Sequence, residues 1–133
     1  MLRISHSQRE AMIAHVIRAL PHEGCGLLLG AFDGPVSEVV PSTNLAESAR
    51  VYEIDPKVLL RSYRTADARG EDVVGCFHSH THTDAFPSPT DISQAPDPEW
   101  HYVVISLRVV PPVVRSFRIV DGQVTEEPVT ITE

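Results

Sequence analysis

The segment Val73-Val74-Gly75-Cys76-Phe77-His78-Ser79-His80, followed after seven residues by Ser88-Pro89-Thr90-Asp91, constrains this chain more than any other. The first part alternates and reads as a strand, so His78 and His80 project from one face about 6.5 to 7 Å apart. Two imidazoles at that separation can converge on one ion through bonds of about 2.0 to 2.1 Å. The second part reads as a helix start, with Ser88 as N-cap and Pro89 at the first helical position. A capped first turn is a rigid mount for a carboxylate, which makes Asp91 the candidate third ligand. Three protein ligands leave a fourth tetrahedral position open, as catalytic rather than structural zinc requires. Each piece also has a plainer reading. A strand histidine is usually a surface or satisfied core residue, and Ser88 to Asp91 says by itself only that a helix begins.

Around this segment the hydrophobic periodicity predicts an α/β sandwich on a mixed sheet, in the order α-β-β-α-β-α-β-β-β. Ala11, Met12, Ile13, Val16, Ile17 and Leu20 give residues 7–20 a helical stripe, with Ser7 as N-cap and Pro21 as the stop. Gly24 to Ala31 reads as a buried strand, and Asp33-Gly34 turns it into Val36–Val40. Asp55-Pro56 starts a second helix carrying Leu59, Tyr63 and Ala66, which Gly70 closes. Tyr102–Leu107 and Val113–Val120 are further strands. Asp121-Gly122 is a turn leading to Val124, and Val129–Ile131 is strand-like.

At 133 residues the chain fits one domain spanning 1–133. A domain of this size buries enough surface to fold without disulfides or a structural metal, so a metal here serves chemistry. The net charge is −7 and no cluster of Lys or Arg occurs. That excludes nucleic acid as a partner, because phosphate binding draws its affinity from clustered cations, and it excludes an anionic membrane surface. No apolar run approaches the roughly 20 residues of a membrane helix, and residues 1–13 are too polar for a signal peptide. The expected compartment is the cytoplasm, with Cys25 and Cys76 as reduced thiols and a disulfide between them as the lesser alternative.

A hydrolytic metal also needs a base, because the proton of its water must be taken and passed to the leaving group. Glu23 stands at the mouth of the apolar strand. With eighteen acidic residues in the chain, position alone does not separate it from a residue that merely leads a strand. Other candidates are weaker. His82 is an extra ligand or a loop histidine; Cys76 lines the site or fills the core; Cys25 lacks a His and Asn arrangement of its own. Trp100 and Phe86 contact substrate or pack, and Thr43-Asn44 approaches the site or simply turns the chain.

His78-x-His80, seven residues and Ser88-x-x-Asp91, with an upstream Glu23 followed by Cys25-Gly26 and a run of leucines, resembles the JAMM/MPN+ metalloprotease signature. The resemblance covers essentially the whole chain. It implies a single MPN domain of the α/β (α+β) class, a mixed sheet sandwiched by helices and cytidine-deaminase-like. It also implies one catalytic zinc with its bound water held by His78, His80 and Asp91, with Glu23 as general acid/base and Ser88 as hydrogen-bond donor to the tetrahedral oxyanion. The family hydrolyses peptide or isopeptide bonds next to the C-terminus of ubiquitin-like proteins. Residues 115–129 and His78-Ser79-His80-Thr81 resemble the bacterial Mec-type branch, which releases cysteine from the C-terminal Gly-Gly of a ubiquitin-like sulfur carrier protein in cysteine biosynthesis. Only ten residues, Ile92 to His101, follow Asp91 before the next strand, too few for a long recognition loop. The expectation is therefore an extended tail laid along a sheet edge. The alternatives are an isopeptidase that removes ubiquitin-like modifiers from protein lysines, and a non-catalytic MPN binding or scaffold module.

Overall fold

The computed structural model describes residues 1–132. The elements run β1 (Leu2–Ser5), α1 (His6–Ala19), β2 (Cys25–Gly30), β3 (Val36–Ser42), α2 (Pro56–Arg69), β4 (Asp72–His80), α3 (Pro89–Ser93), β5 (His101–Ser106), β6 (Val113–Val120), β7 (Gln123–Glu127) and β8 (Val129–Thr132). Six strands form one mixed sheet in the order β3-β2-β4-β5-β6-β7. Only β4 and β5 run parallel in it, and the crossover between them carries α3. Every residue of β2 and β5 is buried, which is why those strands read as continuous apolar runs.

Helices cover both faces. Met12, Ile13 and Val16 of α1 pack with Leu28, Val74, Phe77, Val103 and Ile105 on one side. Val58 and Ala66 of α2 pack with Leu27, Leu29, Val73, Cys76 and Trp100 on the other. This is the expected α/β arrangement of a mixed sheet flanked by helices. No helix is long and apolar enough to cross a membrane.

Four details differ from the sequence reading. The N-cap of α1 is Ser5 rather than Ser7: its hydroxyl accepts the Gln8 N–H at 3.1 Å, and the Gln8 side chain accepts the Ser5 N–H at 2.8 Å. Ser5 also ends β1, an unexpected strand that pairs in parallel with β8 as a separate two-stranded sheet. A four-residue strand whose only partner lies at the far end of the chain leaves no local signal. The apolar stripe of α1 holds at Met12, Ile13 and Val16 but not at its C-terminal end, and that of α2 is shifted. Ile17 and Leu20 are each 47% exposed, and α2 buries Val58, Ser62 and Ala66 while Tyr63 is 42% exposed. One residue of phase rotates a helix by about 100°, enough to turn a stripe off the core.

The fourth difference lies in β4. The β2 pairing steps from Leu28↔Gly75 to Leu29↔Val73, so Val74 is an extra residue in a bulge. Val73 and Cys76 consequently pack on the same side, against the α2 layer, despite their odd spacing. Past the bulge the alternation is regular, and the strand ends on His78 and His80.

Candidate metal centre

His78 Nε2, His80 Nε2 and Asp91 Oδ2 form a nearly equilateral triangle. The two nitrogens are 3.2 Å apart, and the carboxylate oxygen stands 3.0 Å from His78 and 3.1 Å from His80. Ligand bonds of about 2.0 to 2.1 Å at tetrahedral angles give edges of roughly 3.3 Å, so the triangle has the size of one face of a tetrahedral zinc site. The three side chains are the one His/Cys/Asp/Glu group among the described residues that can hold a metal ion.

The surroundings fix the ligand atoms. His80 Nδ1–H donates to the Asp84 carbonyl at 2.8 Å, which leaves the Nε2 lone pair for the centre. The Ser88 N–H donates to the same Asp91 Oδ2 at 2.8 Å, so the oxygen that completes the capping box also completes the triangle. The helix-cap reading and the ligand reading of Ser88 to Asp91 thus describe one structure. Burial pushes the pKa of His78 down, keeping it a neutral donor. Burial opposes ionisation of Asp91 too, but the two imidazoles and the Ser88 N–H hold its carboxyl well below the usual carboxylate range. At His80 burial is outweighed by hydrogen bonds to Asp91 and to the Asp84 carbonyl, and the pKa is raised.

Glu23 reaches this end of the sheet because β2 and β4 are antiparallel, with Cys25 opposite His78. Between the two histidines, Ser79 locks that approach. Its hydroxyl accepts the Gly24 N–H at 2.8 Å, and its N–H donates to the Gly24 carbonyl at 3.0 Å. Position 24 has to be glycine, since a Cβ there would stand 2.7 Å from the Val16 backbone of α1. Asn44 holds the other flank: its amide donates to the Glu23 carbonyl at 3.0 Å and the Val51 carbonyl at 3.0 Å, and its oxygen accepts the Ala46 and Glu53 N–H groups. The Glu23 side chain is 2% exposed, and its Oε1 atom has no hydrogen-bond partner among the described residues. Burial pushes its pKa to about 8, the nearby His80 only partly opposing this.

Glu23, His80 and Ser88 line one cleft of about 550 Å³, together with Ala49, Arg50 and residues 81–83. Ser88 Oγ accepts the Asp91 N–H at 3.1 Å, which leaves the hydroxyl proton available to the cleft. On the far side of Asp91 lies a smaller, mainly apolar cavity of about 180 Å³ walled by Val51, Tyr52, Ile54, Leu59 and Trp100.

Of the remaining sequence candidates, His82 lines the cleft but stands outside the triangle. Cys76 lies beneath the site as a buried free thiol, and Cys25 is likewise free and buried. Burial pushes both thiols up to about 12, which removes any nucleophilic role near neutral pH. Trp100 walls the apolar cavity, whereas Phe86 packs edge-to-face on Phe117 at 5.3 Å. Asn44 meets the site through the Glu23 backbone only. The sequence reading missed Tyr52, whose ring stacks on His78 at 4.4 Å and whose hydroxyl lies 3.6 Å from Cys76 Sγ. It also passed over Ser79. Tyr52 lies in an irregular segment with no periodicity to betray it, but the serine between two candidate ligands was a usable signal.

The prokaryotic homologs of the JAB domain match residues 5–120 of the chain. The CysO-cysteine peptidase of Mycobacterium tuberculosis is 43% identical over 126 residues, covering 92% of this chain and 86% of that protein. A probable TtuB-protein conjugate cleaving protease of Thermus thermophilus is 32% identical over 126 residues, covering 92% and 79%. Among solved structures, a protein from Desulfitobacterium hafniense superimposes with a TM-score of 0.91 at 39% identity over 100% of this chain and 94% of that one. A JAB1/MPN domain protein from Archaeoglobus fulgidus shares the fold, with a TM-score of 0.64 at 18% identity over the whole of both chains. With its fold, its His-His-Asp centre and these relatives taken together, the chain belongs to the prokaryotic JAB family and is an enzyme of its metallopeptidase kind.

Proposed function

We propose that the chain is a zinc-dependent peptidase that hydrolyses the bond after the C-terminal Gly-Gly of a ubiquitin-like protein, releasing cysteine from a sulfur carrier. The observation that carries this is the convergence of the His78–His80–Asp91 triangle and a buried Glu23 carboxyl with one unpartnered oxygen on one end of the sheet. Two imidazoles and a carboxylate fit zinc in donor type, charge and spacing. A zinc ion held by His78, His80 and Asp91 supplies Lewis acidity there, lowering the pKa of water and polarising a carbonyl.

Glu23 does the proton work. Beside a divalent cation the buried carboxyl would be held ionised, and its orphaned oxygen, with no competing hydrogen bond to break, would take a proton from the attacking water and deliver it to the departing amine. The Ser88 hydroxyl donates to the developing oxyanion; loss of one such donor typically costs about 10² to 10³ in turnover. The cavity past Asp91, walled by Val51, Tyr52, Ile54, Leu59 and Trp100, suits the apolar residues of an extended tail, and the cleft shared by Glu23 and Ser88 suits the leaving group. The name of the mycobacterial relative supports cysteine as that group.

The second reading, removal of a ubiquitin-like modifier from protein lysines, is favoured by the name of the Thermus relative. Incubation of the zinc-loaded protein with a carrier ending Gly-Gly-Cys and with a lysine-linked conjugate separates the two. Free cysteine released from the first, with the second intact, is the expected result. Cleavage of the conjugate alone would replace the first reading by the second.

A further inference from the structure

The two cavities beside the metal triangle differ in the charged groups they present. The one past Asp91 holds no basic residue, while the cleft at Glu23 presents Arg50, Thr81, His82 and Thr83. Arg50 is exposed, and the arginine ion pairs of the described residues engage Arg9, Arg69, Arg108 and Arg115 but not Arg50. Its loop is fastened to the catalytic end of the sheet. The Ser48 carbonyl accepts the Glu23 N–H at 2.7 Å, the Ser48 hydroxyl accepts the Arg50 N–H at 3.0 Å, and the Ala49 carbonyl accepts the Thr81 hydroxyl at 3.4 Å. The backbone that carries Arg50 is thereby held beside Glu23 and beside the residue that follows His80.

A leaving amino acid carries its α-carboxylate two bonds from the departing nitrogen, through an N–Cα bond of about 1.46 Å and a Cα–C bond of about 1.52 Å. Once Glu23 protonates that nitrogen, the carboxylate lies within reach of an arginine on the same cleft wall. A lysine side chain leaving through its ε-amine places methylenes there instead and offers the guanidinium nothing.

We propose, on the footing of the peptidase reading above, that Arg50 binds the α-carboxylate of the leaving group. The enzyme is then selective for a carrier joined to a single free amino acid. The test measures kcat/KM of the zinc-loaded protein on CysO-cysteine with a free carboxyl and on the same substrate as its C-terminal cysteine amide. The scissile bond is identical in the two. The free acid should be preferred by at least about 10-fold, the lower range for a charge-assisted hydrogen bond. Arg50→Gln should collapse the acid-to-amide ratio toward one. Arg50→Lys, which keeps the charge but loses the planar fork, should retain part of it. Equal rates on acid and amide, or a ratio that survives Arg50→Gln, would overturn the assignment of Arg50 and leave the peptidase reading standing. Cleavage of neither substrate would overturn the peptidase reading and this inference with it.

Discussion

Glu23 is a carboxyl group 2% exposed with an oxygen that nothing in the described chain satisfies, and the protein bears the cost of it. Burial pushes its pKa to about 8 from an ordinary value of 4.5. The folded state therefore binds this proton more tightly than the unfolded state does. The stability so conferred is complete below pH 4.5 and is lost as the pH rises toward 8. Metal-free Glu23→Gln cannot ionise and escapes that loss. Urea unfolding should find it gaining up to about 4 kcal/mol on the metal-free parent between pH 4.5 and 8. Unfolding curves that stay a fixed distance apart across this range would mean that Glu23 is comfortably solvated. The same variant should keep its zinc while turnover falls by about 10² or more, the usual scale for a missing acid–base group. A residue whose loss strengthens the fold and stops the reaction would bear the ordinary signature of a functional site.

At the scale of elements, the short helix α3 combines a cap and the mount of the candidate ligand Asp91. Ser88→Ala removes the N-cap, which should cost about 1 kcal/mol of stability, and removes the hydroxyl facing the cleft, which should lower kcat by about 10² to 10³. Ser88→Thr keeps the hydroxyl and should restore most of both. An alanine variant with lowered stability and full kcat would reduce Ser88 to a cap. Between the ligands, Ser79→Ala leaves the buried Gly24 N–H without its acceptor. It should cost about 1 to 3 kcal/mol and lower kcat while zinc binding persists, because Glu23 rather than the triangle loses its support. These elements also explain what could be read in advance. His78, His80 and Asp91 were legible because strand alternation and helix capping are local rules, and the bulge at Val74 happens to lie upstream of the pair. Glu23 was not legible from spacing, since it approaches only through the pairing of β2 with β4; resemblance to a known signature supplied it. Tyr52 and Arg50 sit in an irregular segment where no period operates. The end of the α1 stripe, the phase of α2 and strand β1 escaped because their partners are tertiary.

For the whole molecule, Glu127 of β7 joins distant parts of the chain. It binds His101 of β5 at 2.6 Å, Ser116 of β6 at 2.7 Å and the Met1 amine at 2.9 Å. Burial alone would raise its pKa, but these donors, His101 foremost, hold it at about 2. With the folded value depressed below 4.5, the contribution is present above pH 4.5 and is lost as the pH falls toward 2. Urea unfolding of the parent and of Glu127→Gln should converge over that window by about 3 kcal/mol; parallel curves would show that the network carries no acid sensitivity. This network lies apart from the metal triangle, so its loss should leave zinc affinity intact near neutral pH. The central claim concerns the triangle itself, and zinc analysis of the purified protein beside its His78→Ala variant tests it most directly. About one zinc per parent chain and almost none in the variant is the predicted result, and equal zinc in the two would contradict it.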